Sequence, residues 1–216
     1  MIKFRNLYEY KSRLYFRLKC LCNKLGIGNN IHGISLFRRV INFKIVGTNN
    51  TIDVRSRLPK DVCIFIYGNN HRLIIEEGVV FKKGQIWFED HDCEIYIGAG
   101  TTIEEADLSV AENGTKITIG NDCMFSKGVR IATTDSHSII SIESGQRVNI
   151  AKDIKISRHV WLGYNVSINK GVVIEENSVV AGRSVVAKSV PSNCIVAGLP
   201  AKVVKNGITW TRIRTS

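Results

Sequence analysis

The chain has 216 residues, of which 44% are hydrophobic and 23% charged, a composition typical of one globular domain. It contains no long uninterrupted apolar run, which argues against a membrane-spanning helix. The formal net charge is +11, and residues 1–44 carry ten of the cations but only one acid, Glu9. The basic character therefore belongs to the N-terminal segment, and the rest of the chain is close to neutral.

Neither a secretory signal nor a metal site is expected. Cations interrupt every apolar stretch near the N-terminus, so a cytoplasmic location is predicted, with peripheral contact at the inner membrane face as an option. The interrupting residues are Lys11, Arg13, Arg17 and Lys19. The six cysteines form no C-x-x-C pair and have no zinc-like spacing to histidine, so reduced thiols are expected.

Residues 5–25 are predicted to form one amphipathic helix. Apolar side chains recur there at spacings of three and four, and Gly26 and Gly28 then favour termination. The stripe consists of Leu7, Tyr10, Leu14, Leu18, Leu21 and Leu25. Two interpretations stay open: a packed cap with a solvated basic face, or a contact with an anionic polysaccharide or membrane surface. No nucleic-acid-binding module is recognisable, so nucleic acid is not an expected partner.

From residue 45 the chain carries short clusters rich in Gly, Asn and Asp, each flanked by aliphatic stretches. They begin at Gly47, Gly68, Asp90 and Glu112, so their starts are almost evenly spaced. Because Gly, Asn and Asp tolerate left-handed backbone angles, each cluster is predicted to be a corner between short strands. These units are interpreted as the first coils of a solenoid.

A strict six-residue repeat follows, and its register fits neither an α-helix nor an ordinary strand meander. Such a period is typical of a parallel β-helix, whose triangular coils stack at about 4.8 Å. The register breaks near residues 137–153, which predicts an inserted loop. The domain boundaries are predicted at 1–44, 45–205 and 206–216, with the terminal segments as caps. The aliphatic series is Ile156, Leu162, Ile168, Ile174, Val180 and Val186, with an earlier stretch at Ile119, Phe125 and Ile131.

Three segments carry a resemblance to a known family: D-S-H at 135–137, H-V-W-L-G at 159–163 and A-G-L-P-A-K-V-V-K at 197–205. With the hexads, they resemble the hexapeptide-repeat acyltransferases, and more narrowly the sugar O-acetyltransferases. That group includes galactoside, maltose and capsular (polysialic acid) O-acetyltransferases. The resemblance implies an all-β, left-handed parallel β-helix, a homotrimer, and acetyl-CoA bound as co-substrate in a groove between two neighbouring prisms.

Transfer of an acetyl group from a thioester to a sugar hydroxyl needs a base for the hydroxyl proton. Histidine suits this role because its reference pKa of about 6.5 leaves it largely neutral at cellular pH. His137 opens the break in the register and matches the family's catalytic histidine, so it is predicted to be the general base. Asp135 is predicted to support it by orienting the imidazole or neutralising its charged form, with a backbone carbonyl as the alternative. The histidines expected to be structural are His32, His71, His91 and His159.

The sequence context of Trp161 and Arg147, and the resemblance for the other candidates, indicate where acetyl-CoA and the acceptor bind. Trp161 is predicted to face outward and to stack on pantetheine or on a sugar ring. Arg147, in the inserted loop, is a candidate partner for the carboxylate of an acidic sugar. Gly163 and Tyr164 match a segment whose backbone contacts the thioester end. The other cofactor-binding candidates are Gly182, Ala187 and Lys188 along pantetheine and adenine, and Lys202 and Lys205 for the phosphates.

The predicted function is acetyl-CoA-dependent O-acetylation of a hydroxyl on a bacterial capsular or O-antigen polysaccharide, or on its sugar precursor. The absence of a nucleophile motif such as G-x-S-x-G favours direct transfer over an acyl-enzyme. The basic N-terminal segment favours a polyanionic acceptor. The alternatives are an N-acetyltransferase acting on an amino-sugar nucleotide, a small-molecule (xenobiotic) acetyltransferase, a metal-dependent β-helix hydratase, and a structural solenoid without enzymatic activity.

Overall fold

The computed structural model describes residues 28–33 and 43–215. Within these ranges the chain forms 21 β-strands and no helix. The helix predicted over residues 5–25 lies outside the described residues, as do Cys20 and Cys22.

The strands form three seven-stranded sheets, which are the sides of a triangular prism. Sheet 1 contains β1 (Asn30–His32), β3 (Thr51–Val54), β5 (Arg72–Ile75), β8 (Glu94–Ile97), β11 (Lys116–Ile119), β14 (Ile154–Ile156) and β17 (Val173–Ile174). Sheet 2 contains β2 (Phe43–Val46), β4 (Val62–Tyr67), β7 (Gly84–Phe88), β10 (Ala106–Val110), β13 (Val129–Ala132), β16 (Ser167–Ile168) and β19 (Val185–Val186). Sheet 3 contains β6 (Val80–Phe81), β9 (Thr102–Ile103), β12 (Met124–Phe125), β15 (Trp161–Leu162), β18 (Val179–Val180), β20 (Cys194–Gly198) and β21 (Ala201–Asn206).

From β5 onward each coil runs from sheet 1 to sheet 3 to sheet 2 before the next coil begins one rung further on. The paired strands of successive coils are parallel, and in the strict part Lys155 pairs with Val173, which follows it by three hexads. Three hexads therefore make one coil. The prediction of an all-β, left-handed parallel β-helix is confirmed.

Hydrophobic burial holds the coils together. The six aliphatic residues of the strict series are each no more than 2% exposed, so every hexad places its aliphatic side chain inside the prism. Phe81, Phe88 and Phe125 are the largest side chains that are fully buried. Cys93, Cys123 and Cys194 are buried free thiols, and burial raises the pKa of Cys123 to about 11. Cys123 is therefore a packing residue rather than a nucleophile.

The clusters rich in Gly, Asn and Asp form the corners where sheet 2 turns into sheet 1, as predicted. Asn49, Asn70 and Asp92 have φ angles of 59°, 61° and 60°, in the left-handed region that these residue types tolerate. A Cβ atom on Gly47 would lie 1.8 Å from the carbonyl oxygen of Gly68, so only glycine fits where these corners stack.

The two ends of the solenoid are built differently from each other. β1 pairs with β3, so the coils extend back beyond residue 45. At the other end β21 pairs antiparallel with β20, and the tail after it folds back along sheet 3. Trp210 in this tail is only 8% exposed, and its indole N–H donates to the carbonyl of His159 at 2.8 Å. The tail therefore packs on a side of the prism rather than over its end.

Candidate active site

His137 lies on the inserted loop between β13 and β14, at the corner where sheet 2 turns into sheet 1. Its side chain is exposed, and its ring has no hydrogen-bond partner among the described residues. The backbone is held on both sides. The N–H of His137 donates to the carbonyl of Asp135 at 2.8 Å, and the side-chain amide of Asn149 donates to the carbonyl of His137 at 2.8 Å. The main chain thus fixes the residue and leaves both ring nitrogens open to a ligand.

Asn149 is the centre of the loop's hydrogen-bond network. It is 8% exposed, and its amide nitrogen also donates to the carboxylate of Asp135 at 2.9 Å. Its amide oxygen accepts from the backbone N–H of Ile139 at 2.7 Å. One buried side chain therefore ties the start of the loop to its end, and a satisfied network of this kind rigidifies the backbone that it joins.

Arg147 is engaged by Glu112, which lies one coil earlier. The guanidinium donates to both carboxylate oxygens of Glu112, at 2.8 and 2.6 Å, and to the amide oxygen of Asn149 at 3.1 Å. This hydrogen bond from Arg147 holds the pKa of Glu112 below its usual value. Arg147 was predicted to bind the carboxylate of an acidic sugar, but here its guanidinium is bonded to a carboxylate of the protein itself. In this structure the forked pair fixes the loop instead.

The Asp135 carboxylate does not contact the imidazole of His137. It accepts hydrogen bonds from the Lys170 ammonium and from Asn149, and these two donors, Lys170 first, lower its pKa. Lys170 also donates to the carbonyl of Asn149 at 2.7 Å. The predicted support for His137 thus takes another form here: the Asp135 carbonyl receives the His137 N–H, and its carboxylate anchors the loop.

A cavity of about 710 Å³ opens in front of His137 on the outer face of sheet 2. Arg130 is the one guanidinium or ammonium group among the described residues that line it, and no described carboxylate pairs with it. Carboxylates and hydroxyls on the same wall can accept hydrogen bonds from sugar hydroxyls, and Arg130 can bind a carboxylate. The side chains that carry this chemistry are Trp87, Glu89, Asp107, Ser109, Arg130 and His137.

The cavity wall was not predicted from the sequence, although a signal for it exists. Gln85 pairs with Asp107 of the next coil, and Asp107 pairs with Arg130 of the coil after that, so these side chains form one outward column. Extending the early repeat to outward positions of sheet 2 would have grouped them. The hexads are defined by their inward, aliphatic positions alone, so they carry no information about this outward column.

A second edge, where sheet 3 turns into sheet 2, carries four of the predicted residues. Trp161 and Tyr164 are 38% and 50% exposed and face outward. A Cβ atom on Gly163 would lie 2.6 Å from the backbone nitrogen of Gly182, so this edge has no side chain at that point. A bare backbone edge beside two aromatic rings suits the close approach of an extended ligand such as pantetheine.

The C-terminal tail packs beside Trp161. The ring of Trp210 stacks on that of His159, with centroids 4.1 Å apart and planes 9° from parallel, and lies 6.1 Å from the ring of Trp161. His159 Nδ1 lies 2.7 Å from a carboxylate oxygen of Asp122. Its Nε2 lies 3.0 Å from the carbonyl oxygen of Trp210. These contacts join residues far apart in the chain, and no periodic pattern links them.

Lys188, predicted to lie along pantetheine and adenine, and Lys202 and Lys205, predicted to bind the phosphates, are all exposed. Ala187 and Lys188 follow β19, on the same edge as His137, whereas Lys202 and Lys205 lie on β21. None of the three lysines forms an ion pair with a described residue, so their charges are available to an anion. Within one chain the predicted residues therefore fall on two edges, which are separated by the width of sheet 2, and on β21.

Metal-binding clusters and membrane-spanning helices are both absent from the described part of the chain. Among these residues, no group of three or more His, Cys, Asp or Glu side chains could hold a metal ion. In the same ranges, no helix has the length and apolar character needed to cross a membrane.

Comparison with known proteins identifies the family. No protein-family model matches the chain. A polysialic acid O-acetyltransferase from Neisseria meningitidis is 40% identical over 190 residues, which cover 87% of each protein. The chain belongs to the hexapeptide-repeat sugar O-acetyltransferases. It is therefore an acyltransferase, an acetyl-CoA-dependent O-acetyltransferase, as the sequence motifs predicted.

Two other relatives agree with this family. A polysialic acid O-acetyltransferase from Escherichia coli O1:K1 is 43% identical over 119 residues, which span 55% of this chain and only 38% of that protein's length. The crystallographic structure of the polysialic acid O-acetyltransferase OatWY is 38% identical and superposes with a TM-score of 0.74, covering 87% of this chain and 89% of that chain.

Proposed function

We propose that this O-acetyltransferase transfers the acetyl group of acetyl-CoA to a hydroxyl of a bacterial capsular or related surface polysaccharide. The observation that carries the proposal is the unpartnered ring of His137 at the rim of a cavity lined, among the described residues, with sugar-binding groups. The 40% identity to a polysialic acid O-acetyltransferase over most of both chains supports an acidic acceptor. Arg130 is the side chain in the cavity that suits the carboxylate of such a sugar.

The residues divide the chemistry between them. His137 removes the proton from the acceptor hydroxyl while that oxygen attacks the thioester carbonyl, and it returns the proton to the departing thiolate of coenzyme A. The loop network around Asn149 and Arg147 fixes the backbone that carries the base. Glu89 and Asp107 accept hydrogen bonds from neighbouring hydroxyls and so orient the ring being acetylated.

The acetyl-CoA site fits the second edge and the lysines. The bare backbone at Gly163 and Gly182 admits pantetheine, and Lys188, Lys202 and Lys205 supply cations for phosphates. Because the bare backbone edge and His137 lie on opposite sides of sheet 2, a complete site needs an edge from a second chain. We propose a homotrimer in which each chain's His137 edge meets its neighbour's Trp161 edge.

Acetylation assays with the purified protein test this function. Acetyl-CoA is offered with polysialic acid, with neutral polysaccharides and with amino-sugar nucleotides, and release of the coenzyme A thiol is followed. His137→Ala should lower kcat at least about a hundredfold while leaving acetyl-CoA binding unchanged. The product should lose its acetyl group in mild alkali, since an ester is labile there and an amide is not.

The same assay separates the alternatives. An alkali-resistant product on an amino-sugar nucleotide would establish N-acetylation and remove the proposed function. Retention of a near-normal rate by His137→Ala would remove His137 from the mechanism but leave the polysaccharide as acceptor.

A further inference from the structure

Three aromatic side chains lie together on the outer face of sheet 2. In β4 the inward residues are buried, whereas Phe65 and Tyr67 alternate with them and face outward, half-buried. Trp87 of β7 lies in the next rung, and its ring centroid is 5.6 Å from that of Phe65 and 5.0 Å from that of Tyr67. A cluster of large rings that stays partly exposed on an outer face favours a binding surface.

This aromatic surface is continuous with the cavity in front of His137. Trp87 belongs to both, because it lines the cavity and contacts Phe65 and Tyr67. Four steps between neighbouring strands lead from β13, which precedes the inserted loop, through β10, β7 and β4 to β2. At about 4.8 Å a step they cover about 19 Å along the prism, the reach of several linked sugar units.

Polar groups frame the aromatic rings. Lys44 of β2 places its ammonium 5.0 Å above the ring of Tyr67, and the indole N–H of Trp87 points at the carboxylate of Glu89, 3.4 Å away. Gln85 and Asp107 lie in the column beside the rings. Flat rings bordered by charges and hydrogen-bonding groups match a carbohydrate, which has apolar ring faces and polar edges. A contact between two copies of the chain would favour a drier, less charged centre.

We propose that Phe65, Tyr67 and Trp87, with Lys44, form a platform that binds the sugar units adjoining the one acetylated at His137. The inference rests on the proposed function and extends it: the polysaccharide is also bound several units away from the one acetylated. The rings stack on successive sugar faces, and Lys44 lies where an acidic unit can pair with it.

The test compares polysialic acid with a sialic acid dimer as acceptors. Phe65→Ala and Tyr67→Ala should each raise the KM for the polymer roughly fivefold or more, the scale expected when an aromatic contact is truncated. The kcat, the KM for acetyl-CoA and the KM for the dimer should not change. Tyr96→Ala is the matched control, because Tyr96 is also half-buried and outward-facing but lies on sheet 1.

The outcomes distinguish the platform from the proposed function. Unchanged polymer KM in both variants would overturn the platform while acetylation itself stands. A shift of either variant to a smaller species in size-exclusion chromatography with light scattering would assign the face to a second copy and also overturn it.

A binding measurement covers the case in which polysialic acid is not an acceptor. Electrophoresis through gels containing polysialic acid, or dextran as a neutral polymer, measures retardation without catalysis. Retardation of the wild type that both variants lose would support the platform even if acetylation failed. No retardation of the wild type in either gel would overturn it.

Discussion

The coils before His137 and the coils after it share one architecture, yet they differ in length and in what they display. Before the loop, Arg72 of β5 pairs with Glu94 of β8; after it, Ser167 of β16 pairs with Val185 of β19, at a shorter interval in the sequence. The sheet 2 strands shrink in parallel, from six residues in β4 to two in β16 and β19. Long strands expose several side chains per rung, whereas the short ones expose almost none.

Under the proposed function, this difference provides two kinds of binding surface on one repeat. The long coils present aromatic rings, carboxylates and Arg130 on a broad face, which suits a branched pattern of sugar hydroxyls. The short coils present backbone and small residues at narrow edges, which suits an extended cofactor arm. His137 lies between the long coils and the short coils. It belongs to the longest coil of the described chain, which runs from Ile117 to its pairing partner Ile154.

The largest effect outside His137 itself is expected from Arg147, in the region of the long coils. Arg147→Ala removes the forked bond to Glu112 and both hydrogen bonds from Arg147 to Asn149, so the loop loses its alignment. We expect kcat to fall about thirtyfold with little change in the KM for an acidic acceptor, since misplacing a base slows the chemical step. Steady-state kinetics with polysialic acid measure both constants.

Arg147→Lys serves as the control, because lysine keeps the charge but cannot form the fork. It should be nearly as slow as Arg147→Ala. A normal kcat with a strongly raised KM that Arg147→Lys rescues would instead return Arg147 to the role of carboxylate partner.

A smaller effect is expected at the short-coil end. Lys188→Ala, Lys202→Ala or Lys205→Ala should raise the KM for acetyl-CoA roughly tenfold if the lysine binds a phosphate, the scale of a charged hydrogen bond. The variant that loses its preference for acetyl-CoA over 3′-dephospho-acetyl-CoA identifies the partner of the 3′-phosphate.

The KM for the acceptor should not respond to these changes. Lys155→Ala, on sheet 1, is the matched control and should behave as wild type. If all three lysine variants keep the wild-type KM for acetyl-CoA, the cofactor lies elsewhere.

The smallest effect concerns acid stability of the loop. Glu112 and Asp135 have pKa values lowered in the folded protein, so their pairs stabilise it above the unfolded pKa values, near 4. This contribution is lost as the pH falls through the lower folded values. The melting temperature of the wild type should therefore fall more steeply between about pH 5 and about pH 3 than that of Arg147→Met or Lys170→Met.

Both pairs are partly exposed, so the difference in slope should be modest. Calorimetry of the three proteins across this range measures it. Parallel slopes would show that neither carboxylate contributes to folding through its pKa.

Periodicity made much of the fold predictable from the sequence. The aliphatic series from Ile156 to Val186 was predicted to face inward because its six-residue spacing keeps these side chains inside the prism. Asn49 and Asn70 were predicted to lie at corners because asparagine tolerates the left-handed backbone angles that corners require. His137 stood out because it interrupts the register. Side-chain partners did not follow, since Arg147 reaches Glu112 across 35 residues and His159 meets Trp210 across 51. Such pairs depend on which side chains of neighbouring coils lie next to each other. The length of the repeat does not determine this.

The reversal of β21 limits how copies of the chain can assemble. Every earlier pair of strands in the described chain is parallel, but β21 runs antiparallel to β20 and carries Lys202 and Lys205 on an exposed strand. A second molecule adding a parallel strand to the edge of sheet 3 would face an antiparallel strand, β21, and the positive charges of Lys202 and Lys205. Head-to-tail growth into a fibre is therefore disfavoured on this sheet.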